Sequence, residues 1–178
     1  TKVIAPKDWT CVEALFESRG RPKNCWCTAF RPSSVPRSKL NKEFRKAELQ
    51  NVVASNKPVG PLAFKDDEPV AWCSVAPKSL FVNLGDVHSY ADNETVWSVT
   101  CFFIKRAFRG QGLAKVLLDE AIQYATQMGA DYLDANAVDN DSPSYRFIGF
   151  TTLFENKGFV EIGRAGSRRH VLQKALVV

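Results

Sequence analysis

The sequence predicts an α/β (α+β) fold, with helices and strands in mixed order along the chain. Three observations lead there. Val96 to Ile104 is an almost wholly apolar run rich in β-branched and aromatic residues, as in a strand buried on both faces. The stretch before Gly129 then carries Leu113, Val116, Leu117, Ala121 and Tyr124 at helical spacing. Short strand-like runs at 131–138, 159–162 and 170–178 follow, separated by turn residues and one more helical stretch.

The elements follow in order. Asp8 is placed to cap a short helix reaching about Ser18, with Trp9, Val12 and Phe16 on one side. Arg19-Gly20-Arg21-Pro22 ends it. Asn24 to Phe30 reads as a strand, Cys25, Cys27 and Ala29 alternating with Trp26, Thr28 and Phe30. Ser38 opens a polar helix to about Ala54 that packs through Leu40, Phe44, Leu49, Val52 and Val53. Leu62–Phe64 and Val70–Val75 form a hairpin around the turn Lys65–Pro69. Residues 76–93 are a long irregular link, a candidate wall for a pocket. The helix after the central strand starts near Gly110 or Gln111, and Gly129 stops it. Asp131 to Val138 is a strand, Tyr145 to Asn156 a helix, and Phe159–Ile162 and His170–Val178 are closing strands. The expected organisation is one domain over 1–178 with no internal linker.

Apolar residues make up 45% of the chain and charged residues 24%, which excludes a collagen-like, disordered or coiled-coil protein. No run is long enough to span a membrane, and the first residues lack the apolar stretch of a signal peptide. Five cysteines without an export signal point to reduced thiols and a cytoplasmic location. Cys25 and Cys27 have no second pair at metal-ligand spacing and read as small apolar residues on one face of a strand. The net charge of +5 is uneven: +7 over 1–57, −4 over 58–100 and +2 over 101–178. The basic first third, with Trp26, Phe30, Arg31 and Arg37, matches no nucleic-acid module and reads as a solvated face.

The chemistry lies in Cys101-Phe102-Phe103-Ile104-Lys105-Arg106-Ala107-Phe108-Arg109-Gly110-Gln111-Gly112-Leu113-Ala114, a buried strand running through a glycine turn into a helix. Glycines let backbone approach a ligand, and free amides at a helix start favour phosphate. Three readings are open: a tight turn without function, the start of a dinucleotide fingerprint, or a phosphate site of another kind. Against the fingerprint, Lys115 stands where a third glycine belongs.

Arg109-x-x-Gly112-x-Ala114 resembles the Arg/Gln-x-x-Gly-x-Gly/Ala signature of the GCN5-related N-acetyltransferase (GNAT) superfamily. Phe102 and Ile104 fill the alternating positions of the preceding strand. Leu153-Phe154-Glu155-Asn156-Lys157-Gly158-Phe159 is similar to the family's Leu-Tyr-Glu-Lys-x-Gly-Phe ending. The likeness is close over 94–162, the expected cofactor-binding core, and vague over 1–57. It implies a GNAT-type sheet splayed between its two middle strands. Acetyl-CoA would enter the splay as cosubstrate, its pantetheine arm on the backbone of Phe102, Phe103 and Ile104. Its pyrophosphate would sit on Arg109, Gly110, Gln111, Gly112, Leu113 and Ala114.

The resemblance further implies direct acetyl transfer to a primary amine of a small molecule or peptide. A CoA-binding module without catalysis is the alternative. The family's acid tyrosine is replaced by Phe154, which has no proton to give; Tyr145 lies more than two turns earlier on the same predicted helix. Glu94, at the entry to the central strand, is the first candidate base, ahead of Asp92, Asp86 and His88. The acidic balance of 58–100, on the expected acceptor side, points to a cationic amine. The expected partners are acetyl-CoA and that amine, without nucleic acid or membrane, in a monomer or homodimer.

Overall fold

A computed structural model describes residues 1–18, 22–85, 87, 90–92 and 94–176. Its strands are β1 (Lys2–Val3), β2 (Pro61–Lys65), β3 (Glu68–Pro77), β4 (Val96–Ile104), β5 (Tyr132–Ala137), β6 (Val160–Ala165) and β7 (Arg169–Ala175). Its helices are α1 (Trp9–Phe16), α2 (Pro22–Cys25), α3 (Lys42–Ala54), α4 (Leu113–Gln127) and α5 (Thr151–Glu155). The strands form one mixed sheet in the order β1-β2-β3-β4-β5-β7-β6. Neighbours are antiparallel except β4 and β5, which are parallel and joined by the crossover helix α4.

The two faces of the sheet bury different layers. On one, Leu117, Leu118, Ala121 and Ala125 of α4 pack on Cys73, Val75, Trp97, Val99, Leu133, Ala135 and Ala137. Leu117 and Leu118 are fully buried, each stabilising by roughly 1.5–3 kcal/mol. On the other face, α1 and α3 bring Val12, Leu15, Phe16, Leu49 and Val53 against Trp72 and Cys101. Asn41 sets the start of α3, its side chain accepting from the Phe44 amide at 2.8 Å. Gly129, at φ +76°, ends α4.

β4 is the hinge of the architecture. Ser74 pairs with Cys101 but Val75 pairs with Val99, so Thr100 is an extra residue, a β-bulge. On the other edge β4 pairs with β5 only from Val96–Tyr132 to Val99–Ala135. Beyond that point the strands part. The end of β5 goes elsewhere: Val138 bridges to Phe150. The splay expected between the middle strands is this wedge.

Four local expectations are corrected. Residues 24–30 are not a strand: α2 ends at Cys25, and Trp26 and Cys27 both take left-handed φ, +43° and +44°. Alternation over so few residues is weak evidence for a strand. Cys25 is consequently exposed and Cys27 buried. The helix expected over 145–156 is broken at Gly149 (φ +100°), where a Cβ would fall 2.8 Å from the Phe154 ring; only α5 remains. Val116, placed on the buried stripe of α4, is 48% exposed, and Leu118 and Ala125 take the inward positions. The Asp8 carboxylate does not cap α1 but turns back to the Ala5 amide and Lys2.

Candidate active site

The wedge presents a specific set of backbone groups. Lys105 N–H donates to the Val70 carbonyl, which makes Phe103–Trp72 the next hydrogen-bonded pair of the β3–β4 ladder. The amides and carbonyls of Phe102 and Ile104 therefore face the wedge, while those of Phe103 belong to the ladder. Arg109 Nε donates to the Ile104 carbonyl at 3.0 Å. Of the three strand residues expected to meet a ligand, Phe102 and Ile104 offer backbone and Phe103 does not. Its ring packs instead in the layer under α1, 6.1 Å from Phe16.

The glycine turn opens onto solvent just beyond. A 3-10 turn, Arg106–Phe108, carries the chain from β4 to Gly110 and Gly112, at φ +74° and +79°. A Cβ added to either would meet no atom within 4 Å. Gly112 is the N-cap of α4 and provides no side-chain cap. The amides of Gly110, Gln111, Gly112, Leu113 and Ala114 have no acceptor among the described residues. The Gln111 side chain turns back onto the Ala107 carbonyl and leaves this cradle clear. Such a set of amides at the positive end of a fifteen-residue helix suits a phosphate or pyrophosphate. The structure thus brings Arg109 to Ala114 and the free edge of β4 together.

It does not bring Glu94 to them. The Glu94 carboxylate accepts from the Ala91 amide and lies against Tyr132, whose hydroxyl it holds above its ordinary pKa. Tyr132 pairs with Val96, so Glu94 sits at the closed end of the β4–β5 pair. Six residues separate it from the bulge, about 20 Å along an extended strand. Asp92 is exposed in the same link; Asp86 and His88 lie outside the described residues. Phe154 is buried at the wedge, its ring 6.1 Å from that of Phe102. Tyr145 is not on α5; it stands at φ +58° before a separate 3-10 turn.

The sheet face away from α4 holds a buried polar layer that sequence reasoning missed. Ser74, Ser98, Thr100, Asp134, Asn136 and Gln173 are all buried. Thr100 donates to Ser74 at 2.9 Å. Asp134 accepts from Lys78 at 2.7 Å and Gln173 at 2.8 Å. Burial pulls the Lys78 pKa down, but hydrogen bonds to Asp134 and Tyr90 outweigh it and leave the ammonium above its ordinary value. Ser98 Oγ and Asn136 Oδ1 have no partner. The polar alternation of Asp134 and Asn136 between Leu133, Ala135 and Ala137 was the available signal.

Over this layer lies the segment after α2. The left-handed Trp26 and Cys27 turn it inward, at about 1–3 kcal/mol of strain each. Phe30 and Arg31 are buried as a result, Arg31 only 7% exposed. Its guanidinium carbon lies 4.8 Å from the centre of the Phe81 ring, and burial brings its pKa down to about 10, still protonated at neutral pH. Two cavities adjoin this segment. One, about 440 Å³, is lined by Lys78, Phe81, Asn83, Leu84, Gly85 and Arg169. The other, about 340 Å³, is lined by Ala29, Phe30, Asn83, Tyr145, Phe147 and Arg169. The 76–93 link does wall a pocket, through Lys78, Phe81, Asn83, Leu84 and Gly85. Asp66 and Asp67 stand in an exposed turn and Glu68 pairs with Lys105. The cavities are lined by the cations Lys78 and Arg169.

The model of the acetyltransferase (GNAT) family matches residues 23–150. A search of curated proteins finds no match in sequence. Among solved structures, an acetyltransferase of the GNAT family from Streptococcus pneumoniae is 17% identical over 99% of this chain and 98% of that one, with a TM-score of 0.58. A Salmonella typhimurium structure described as an acetyltransferase with its cofactor acetyl-CoA is 16% identical over 99% and 92%, TM-score 0.56. A ribosomal-protein-alanine N-acetyltransferase from Brucella melitensis is 18% identical over 98% of both chains, TM-score 0.55. At these identities the likeness is one of fold.

Proposed function

The chain belongs to the GNAT family of acetyltransferases, and from that premise we propose that it transfers acetyl from acetyl-CoA directly to a primary amine of a small molecule or peptide. One observation carries the reading: a wedge edged by the backbone of Phe102 and the Ile104 amide ends at a glycine turn whose five amides have no acceptor among the described residues. The fit to the cosubstrate is physical. The space beside Gly110 and Gly112 is open where any side chain would intrude, so the pyrophosphate belongs on the amides from Gly110 to Ala114. Phe102 and Ile104 are the backbone partners for the pantetheine arm. Bound acetyl-CoA supplies an acetyl thioester, whose carbon–sulfur bond is exchanged for a carbon–nitrogen bond as the amine loses a proton and the thiolate gains one.

The residues of this chain hold and orient the reactants. The wedge presents the acyl group at the bulge of β4, and the amine reaches it from the face that carries the polar layer and the two cavities. Glu94 has no base role in this reading, because it stands at the other end of the strand. Phe154 lines the wedge without a proton to give, so it is not the donor to the thiolate. Titration with acetyl-CoA, then thiol release across an amine panel, tests the proposal. Absence of CoA binding would overturn it.

A further inference from the structure

Every buried polar layer is a demand for partners, and this one is incomplete in a specific way. Nε and Nη2 of Arg31 are buried and have no hydrogen-bond acceptor, and no carboxylate among the described residues pairs with the guanidinium. A protonated guanidinium kept from water without a counter-charge is costly, and the cost falls when an anion arrives. The fork of N–H groups on Arg matches the two oxygens of a carboxylate. Phe81, which the guanidinium faces, is a wall of the larger cavity, and a second cation, Arg169, lines both cavities. Arg169 is itself spent on the carbonyls of Ala165 and Asn83, at 3.2 and 2.9 Å. Of the two, Arg31 is the one with buried nitrogens that lack an acceptor.

Two of the other buried groups without a partner complement this. Asn136 Oδ1 is buried without a donor, one residue past the point where β4 and β5 part. Ser98 Oγ, two residues before the bulge on the same sheet face, is also unpaired. An acceptor for amine N–H at the wedge and donors for an anion deeper in the segment after α2 make a two-ended demand.

Resting on the acetyl-transfer reading, we infer that the acceptor is a small amino acid-type molecule, its carboxylate bound by Arg31 and its amine directed to Asn136 and Ser98 beside the wedge. The Arg31 guanidinium carbon lies 4.8 Å from the centre of the Phe81 ring, which walls the larger cavity on that side. The cationic acceptor expected from the charge of residues 58–100 does not suit this site, because the charge that meets the acceptor is that of Arg31.

The test compares the L-amino acids, each beside its own carboxamide, in a thiol-release assay with acetyl-CoA. The acids are expected to exceed the amides in kcat/KM by on the order of 10²-fold, the scale of a desolvated charge pair. Arg31→Met should bring that ratio to about one, since the apolar side chain has no donor to distinguish acid from amide. CoA affinity by calorimetry serves as the control of the folded cofactor half. If Arg31→Met does not fold, the wild-type ratio and the partial loss in Arg31→Lys decide. Equal rates for acids and amides, or a ratio that survives Arg31→Met, overturns the inference and leaves acetyl transfer standing. If CoA binds and no amine is acetylated, acetyl transfer falls instead. Calorimetric titration of the CoA-loaded protein with acid against amide then reads the Arg31 site directly, and equal affinity overturns it.

Discussion

The turn between β4 and α4 and the segment that holds Arg31 make opposite use of unsatisfied polar groups. In the turn, five backbone amides stand open to water, which satisfies them at almost no cost until a ligand takes its place. In the segment, a side-chain cation is sealed from water and remains unmet. The first arrangement is encoded by neighbours in sequence, two glycines and a helix start. The second is assembled by four distant stretches, residues 26–31, 78–85, the sheet strands and Arg169. A site for a common cosubstrate is portable in this sense, and a site for a particular acceptor is not.

The largest expected effect would break the acceptor half. Lys78→Met leaves Asp134, 1% exposed, without its cation, and should cost about 3–5 kcal/mol in urea unfolding at neutral pH. The sign of its pH dependence follows from a raised Lys78 pKa. The contribution is fully present below the ordinary value of 10.5 and is lost as pH rises through the folded value, so the wild type and variant curves converge in strong alkali.

Next, Gly112→Val separates binding from stability in the cofactor half. Nothing lies within 4 Å of the added Cβ, so the folded chain loses only about 1–2 kcal/mol for a left-handed β-branched residue. CoA affinity should fall by on the order of 10²-fold, since charge-assisted bonds from the amides are prevented. Equal affinity for CoA in calorimetry would remove the turn from the binding site.

Phe154→Tyr sharpens the boundary between the halves. The ring is wholly buried with its tip toward Gly149, so the new hydroxyl lacks a partner and costs about 1–3 kcal/mol in thermal unfolding. A gain in turnover despite that loss would show that the wedge accepts a proton donor at this position. The smallest effect lies outside both halves. His170 hydrogen-bonds Glu161 and holds its carboxyl below the ordinary 4.5, so this contribution is present above that value and fades as pH falls through the folded one. Glu161→Gln should flatten only that acid limb of a stability-versus-pH profile.

Much of the cofactor half could be read from residue order alone. The bounds of β4, the glycine turn and α4 follow from an apolar run, two glycines and one amphipathic period, all local signals. The segment over the polar layer is not legible in this way, for physical reasons. Trp26 and Cys27 take a conformation that bulky residues rarely adopt, so the apparent alternation of 25–30 pointed to a strand. Arg31 read as part of a solvated basic face, because burial of an unpaired cation has no sequence signature. The resemblance puts Glu94 at the strand entry, and the structure holds it there, six positions before the bulge. Gly149 broke a helix whose apolar pattern was otherwise sound, because the Phe154 ring occupies the space its side chain would need.

Thr100 has a consequence in the genetics of the chain. Val99 points to the α4 layer and Cys101 to the opposite one; without the bulge, alternation would send Cys101 to α4 and exchange Phe102 with Phe103. An in-frame loss of the single codon for Thr100 would therefore erase the bulge and keep Cys101 to Ile104 on their present faces, whereas straightening the strand with Thr100 retained would turn every one of them over. The length of this strand can thus shrink by its one extra residue without reversing a face, and what is lost is the bulge itself.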